Sequence, residues 1–374
     1  MDSRITNQEI RQKNKSAIFR LFRQREQLSR QDIVQTLGLS LPTVTHNLEE
    51  LIAEGLVAIS GSVGNTGGRR AKTYSLVRGA RTAIGIDVKK HNATAVAMDL
   101  EGCIIGSVRR NVAYASSDSY YRVLGEMVSE LVQKNGLRED RILGVGIGVP
   151  GLVSKDNKTV FYGEILNFTG ATSEEFGRYI PYPVALHNDA NASSFAEFWA
   201  FPDTPDAFYI MLSNNVGGSV YIDGQPYIGD HIRSGEVGHM VIVPDGKQCY
   251  CGQRGCMDAY CAATVLASAA KGDLSLFFWR LKEGDPDIRK IWEEYLGHLA
   301  QAVVNLRMLF DCPIIIGGYV GAYIEEYMDE LKALLNGRNT FDPVADYLMP
   351  CRFKGNAIAC GAALYNISAF LKSI

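Results

Sequence analysis

Apolar positions in the first eighty residues recur at helical spacing. Between Gln8 and Gln27 they are Ile10, Ala17, Ile18, Leu21 and Phe22, with Arg and Lys between them, which predicts a first helix. Ser29-Arg-Gln-Asp32 has the form of a helix N-cap, and Ile33, Val34 and Leu37 supply the buried face of a second helix. Gly38 is expected to end that helix, because a left-handed C-cap suits a residue without a Cβ. Ser40 can cap a third helix, with Pro42 tolerated in its first turn and Val44, Leu48, Leu51 and Ile52 as its apolar stripe. Glu54-Gly-Leu-Val-Ala-Ile-Ser, the glycine-rich stretch Gly61 to Gly68, and Arg69-Arg70-Ala-Lys72-Thr-Tyr-Ser-Leu76-Val77 then read as two short strands around a Gly/Asn turn.

The pattern changes at Thr82. Ala83–Val88 and Ala93–Leu100 read as buried strands, and Glu101-Gly102 turns the chain into a third, Cys103–Arg110. A helix is expected over about Tyr120–Asn135, then a strand over Ile142–Val149 running into Gly148-Val-Pro150-Gly151. This β-β-β-α-β order starts again at Ala207–Leu212 and Gly217–Ile222, with a turn at Gly224-Gln-Pro, and ends at Pro313-Ile-Ile-Ile-Gly317-Gly318. Two weakly similar α/β halves facing a cleft follow from that recurrence.

Composition narrows the class. The chain has 374 residues, 47% hydrophobic and 21% charged, which is enough for two or three packed domains and argues against disorder. It contains no apolar run of about 18 residues or more. Met1–Arg25 is polar and lacks the apolar region of a secretory signal, so a cytoplasmic protein without a membrane span is expected. Of the eight cysteines, three crowd into Cys249-Tyr-Cys251-Gly-Gln-Arg-Gly-Cys256, a poor pattern for a secreted disulfide framework. Charge is unevenly shared. Residues 1–81 hold 13 Lys/Arg against 7 Asp/Glu, whereas the remainder holds 25 against 34. A basic head on an acidic body suggests that only the head meets a polyanion.

Thr43, Thr45, His46 and Asn47 are placed on the face of the third helix opposite its apolar stripe. Short polar side chains there suit base edges and phosphates of double-stranded DNA. Arg69, Arg70 and Lys72 at a hairpin tip would act as a wing and give salt-dependent affinity. The order of helix, helix-turn-helix, Glu-Gly-Leu-Val and basic hairpin resembles the winged-helix domains of bacterial regulators; the alternative is a three-helix protein-interaction module.

From about residue 82 onward the chain resembles the ROK family of repressors and sugar kinases. The resemblance rests on Gly148-Val-Pro-Gly151, His187-Asn188-Asp189-Ala-Asn191-Ala, Ser234-Gly-Glu236-Val-Gly-His239, the Cys249–Cys256 motif, and Ile316-Gly-Gly318. It implies an α/β fold: residues 1–80 as a winged helix-turn-helix domain, and 81–374 as two actin-like, ribonuclease H-like lobes with a zinc-binding loop at 239–256. By the same resemblance Asn167, Asn188, Asp189, Glu236, His239 and Asp258 match sugar-contacting positions. Asp258 stands where the family usually has Glu, and is one methylene shorter. His239, Cys249, Cys251 and Cys256 fit a closed, tetrahedral structural zinc, with unligated buried thiols as the alternative and Cys261 as a substitute ligand.

In the family's kinases Asp189 would be the general base on the attacking hydroxyl. Those kinases carry a glycine-rich phosphate turn after the first strand. Here Val88-Lys89-Lys90-His91-Asn92 follows Asp87, and the second phosphate loop reads Leu212-Ser-Asn-Asn-Val-Gly217-Gly218. Bulky side chains there should obstruct phosphates, so the expectation is a non-enzymatic, sugar-responsive repressor of carbohydrate-metabolism genes, acting as a homodimer or tetramer. An ATP-dependent sugar kinase with a DNA-binding head, and a repressor controlled by a partner protein, are the rivals.

Overall fold

The structure is a computed structural model that describes residues 7–63, 71–201, 204–336, 338 and 341–374. Its head comprises α1 (Asn7–Gln24), β1 (Leu28–Ser29), α2 (Arg30–Leu37), α3 (Leu41–Ala53), β2 (Val57–Val63) and β3 (Ala71–Leu76), with strand order β1-β3-β2. The local signals act where the sequence places them. Ser29 Oγ accepts the Asp32 amide at 3.2 Å and Asp32 accepts the Ser29 amide at 2.7 Å, a reciprocal capping box. Gly38 takes a left-handed φ of 64°, and Ser40 Oγ accepts the Thr43 amide at 3.3 Å. Ile18, Phe19, Phe22, Ile33, Val44, Leu48 and Leu51 close a core beneath the hairpin. Ile10 does not join them; it is exposed.

The body contains two sheets of one design. In the first, β4 (Thr82–Val88), β5 (Ala93–Asp99) and β6 (Ile104–Arg110) are antiparallel neighbours. α4 (Asp118–Lys134) leads to β7 (Ile142–Val149), which lies parallel to β4. A small hairpin of β8 (Leu152–Val153) and β9 (Val160–Tyr162) intervenes before β10 (Val184–Asn188) joins parallel to β7. The order is β10-β7-β4-β5-β6. The second sheet repeats it with β11 (Ala207–Leu212), β12 (Val216–Ile222), β13 (Gln225–Tyr227), β14 (Ile314–Gly317) and β15 (Leu348–Pro350), in the order β15-β14-β11-β12-β13. β11 pairs antiparallel to β12 and parallel to β14, as β4 does with β5 and β7. The two halves inferred from the sequence are therefore real repeats.

The C-terminal helix Ala357–Ser373 returns from the second lobe to lie on the first. Glycine permits the close approach: a Cβ on Gly85 would sit 1.8 Å from the Ala359 carbonyl oxygen, and one on Gly146 would sit 2.0 Å from that of Ala362. Ile367 and Leu371 at the far end of this helix, and Ile374 just beyond it, are buried in the same apolar cluster as the head core. Among the described residues, no helix is long and apolar enough to cross a membrane.

Candidate functional site

β10 ends at Asn188, and helix Asp189–Ala200 starts at the next residue, so the motif His187-Asn188-Asp189 stands at the lip of the cleft. Asn188 caps that helix, its Oδ1 accepting the Asn191 amide at 2.9 Å. Its Nδ2 donates to the Gly151 carbonyl at 3.0 Å and so pins the Gly148–Gly151 loop beside Asp189. Asp189 Oδ1 accepts the Ala190 amide at 2.9 Å. Across the cleft, the segment after β13 brings in Glu236 and His239. Asn188, Asp189, Glu236 and His239 converge on one small cavity with Glu164, Asn215 and Tyr250. Burial pushes the Asp189 carboxyl up to about 7, with the charges of Asp87 and Glu236 adding to the rise.

A larger cavity of about 500 Å³ shares Asp189 as a wall and extends toward Asp87, Lys89 and Tyr319. Lys89 Nζ lies 2.9 Å from the buried Asp87 carboxylate and 4.7 Å from the Tyr319 ring centroid. Burial alone would lower the Lys89 pKa, but Asp87 and Tyr319 together hold it above its usual value. Burial outweighs the lysine at Asp87, whose carboxyl is also raised. Tyr319 sits on the helix Gly318–Ile324 after β14, so Lys89 bridges the two lobes from inside the cleft.

Asp258 is held by the backbone and also faces the cleft. Its Oδ1 accepts the Val216 amide at 2.6 Å, and it faces only the larger cavity. One oxygen of the shorter side chain is thus taken by the backbone of the second lobe, on the wall that also carries Asp189, Asn215 and Tyr250. Asn167 lies on an exposed turn with φ 52° and lines neither cavity; its neighbour Ile165 lines both. Tyr250 is a wall residue that sequence reasoning missed, although it sits inside the cysteine motif. Its hydroxyl lies 3.3 Å from His239 Nε2.

One ligand atom each from His239, Cys249, Cys251 and Cys256 lies within 4.8 Å of all the others. His239 Nδ1 is 4.0 Å from Cys249 Sγ, and Cys251 Sγ is 3.8 Å from Cys256 Sγ. A disulfide would need sulfurs about 2.05 Å apart. Two thiolates on a tetrahedral zinc, each about 2.3 Å from the metal, would be about 3.8 Å apart. The donor set therefore fits a metal with no position left for water. Cys261 is buried with the second-lobe core, away from this group.

In the head, His46 is exposed on α3, and Thr43 and Thr45 are half-buried, the Thr43 hydroxyl lying 2.8 Å from Ser40 Oγ. Asn47 is not on the exposed face. It is 1% exposed and donates from Nδ2 to the Thr43 carbonyl at 2.8 Å. The reason is periodicity: Val44, Asn47, Leu48 and Leu51 fall at i, i+3, i+4 and i+7, which is the buried stripe itself. Lys72 is exposed on β3, whereas Arg69 and Arg70 lie outside the described residues.

Residues 83–367 match the model of the ROK family, and residues 11–58 match a winged helix-turn-helix DNA-binding model. The chain belongs to the ROK family. This ROK chain is 28% identical over 263 residues to a xylose repressor of Bacillus subtilis, covering 69% of this chain and 67% of that one. It is 25% identical over 354 residues to a xylose repressor of Caldicellulosiruptor bescii, covering 88% and 89%. An Escherichia coli transcriptional dual regulator, NagC, is 26% identical over 270 residues, covering 70% of this chain and 64% of that protein. In fold, it resembles a ROK transcriptional regulator described as a homolog of the E. coli MLC protein, with TM-score 0.76, 22% identity and 97% of each chain covered. It also resembles a ROK glucokinase from Streptomyces griseus solved with glucose and AMPPNP, with TM-score 0.65, 23% identity, and 76% and 98% covered.

Proposed function

We propose that this protein is a cytoplasmic, sugar-responsive DNA-binding repressor of carbohydrate-metabolism genes that does not turn over nucleotide. One observation carries the reading: a winged head shares its core with a ROK body whose sugar-side cavity is lined by Asn188, Asp189, Glu236 and His239, while Lys89 closes an ion pair on Asp87 at the adjoining phosphate side. Asn188 and Asp189 with Glu236 and His239 offer the mixed donors and acceptors that vicinal hydroxyls require. His239, Cys249, Cys251 and Cys256 would hold a structural zinc, which would supply cross-linking of the loop behind His239 rather than reaction chemistry. His239 would then fix the loop through Nδ1 and face the sugar side through Nε2. Thr43, Thr45 and His46 would read base edges, and Lys72 with Arg69 and Arg70 would meet the phosphate backbone. A symmetric dimer would ask for half-sites about 34–36 Å apart, or a multiple of that.

The test pairs calorimetry over a panel of pentoses, hexoses and N-acetylhexosamines with gel-shift selection from genomic fragments. Sequence-preferring binding that changes with one sugar is the expected result. Absence of such binding at physiological salt would end the DNA-reading proposal. A coupled ADP assay over the same panel addresses the kinase alternative, which the likeness to the glucokinase fold keeps in view; turnover of about 1 s⁻¹ or more would overturn the non-enzymatic reading.

A further inference from the structure

We propose that helix Asp189–Ala200 is a lever joining the sugar cavity to the DNA head, with the Trp199–Arg23 stack as the contact that passes its movement on. The inference deepens the sugar-responsive reading and rests on it.

The two ends of this 12-residue helix, about 17 Å apart, serve different partners. At the first end, Asp189 walls both cavities and Asn188 holds the Gly151 loop. At the last turn, Trp199 is held on two sides. Its Nε1 donates to the Glu101 carbonyl at 3.1 Å, and a Cβ on Gly102 would come within 2.5 Å of the same nitrogen. Over its ring lies the guanidinium carbon of Arg23, 3.7 Å from the centroid. Arg23 belongs to the last turn of α1, in the head. Its Nε is buried with no hydrogen-bond partner, and the indole face and the nearby Glu101 carboxylate both offset the cost of taking this half-buried guanidinium out of water.

The helix cannot shift without its neighbour. A Cβ on Gly361 would lie 1.6 Å from the Ala192 carbonyl oxygen, so the C-terminal helix and the lever touch backbone to backbone. That neighbour also ends on α1: Gln12 Nε2 donates to the Ser373 carbonyl at 3.0 Å, and Ser16 Oγ donates to that of Leu371 at 3.5 Å. A packed pair of helices therefore starts at the sugar cavity and terminates against the head. Tight backbone packing transmits displacement instead of absorbing it. Sugar-dependent placement of Asp189 would appear at α1 as a change in how firmly Arg23 is seated, which is the differential contact that any coupling between two sites requires.

Hydrogen exchange on the full-length chain tests this without a known ligand. Asp189→Asn should change amide exchange across Ser16–Arg23 by about fivefold or more. The same substitution placed on Arg23→Met or Trp199→Phe should leave that segment unmoved beyond the uniform change in global stability, which exchange in β4 and α3 reports and against which Ser16–Arg23 is read. If Asp189→Asn does not reach α1, or if its effect persists in both backgrounds, the lever is wrong. A parallel arm adds D-xylose at saturation. Protection at residues 188–192 that fails to extend to α1 also counts against the lever. Absence of protection at 188–192 counts against xylose as effector, and the ligand-free arm still decides the lever.

Discussion

Replacing Asp189 by Asn should stabilise the sugar-free protein at alkaline pH while weakening its hold on sugar. The carboxyl is pushed up to about 7 from an ordinary 3.8, chiefly by burial. The native state therefore binds this proton more tightly than the unfolded chain does. Between those two values it carries the larger share of protons, so stability falls as pH climbs from about 4 to about 7 and levels off above. A difference of roughly three units is worth about 4 kcal/mol at 1.36 kcal/mol per unit. Asp189 is only half-buried and borders two open cavities, so solvent screening reduces the expected figure to about 2 kcal/mol. Asn cannot ionise, yet it keeps an oxygen for the Ala190 amide, now bonded at 2.9 Å. Urea unfolding of both proteins at about pH 4.5 and about pH 8 should show the stability gap widening by about 2 kcal/mol in favour of Asp189→Asn. Sugar affinity should fall about tenfold or more, the worth of a hydrogen bond to a charged group. A gap that stays constant with pH, or a variant less stable than wild type at pH 8, would refute the assignment of a strained carboxylate at this wall.

Other consequences follow from the same geometry. Lys89→Met leaves Asp87 buried without its counter-charge and should cost about 3 kcal/mol at neutral pH, less in acid, read by chemical denaturation at two pH values. One zinc per chain should be released by a thiol-reactive mercurial and detected with a chromogenic chelator. Cys256→Ser should abolish that release and lower the thermal midpoint. Lys72→Ala should weaken DNA binding about equally across sequences and reduce the slope of log affinity against log salt by about one, measured by fluorescence anisotropy. Gly38→Ala, forced into φ 64° with no neighbour within 4 Å to clash, should cost about 1 kcal/mol from backbone conformation alone, seen as an earlier melting of the head.

Much of the head was legible because its signals are local. Ser29 with Asp32, Gly38, and Ser40 with Pro42 act within one turn of where they stand, and the structure uses each of them as read. Asn47 was misplaced because its polar type was weighed above its position; the period of α3 puts it on the buried stripe whatever its chemistry. In the body, Asn188, Asp189, Glu236 and His239 were legible as a set, since each sits in an ordered motif. Asn167 and Asp258 were assigned by motif alone; Asn167 lines neither cavity, whereas Asp258 lines the larger one while bonding the Val216 amide.

The sequence by itself determined the caps, the alternating and helical periods, the cysteine–histidine donor set and the charge division between head and body. All of these depend on residues within a few positions of one another or on chemistry carried by residue type. Only the tertiary structure decided that Lys89 turns onto Asp87 and Tyr319, that Asp258 bonds the Val216 amide, and that Trp199 meets Arg23. Those contacts join positions far apart in the chain. Their geometry is set by how two repeated sheets and a returning C-terminal helix pack, which no local pattern encodes.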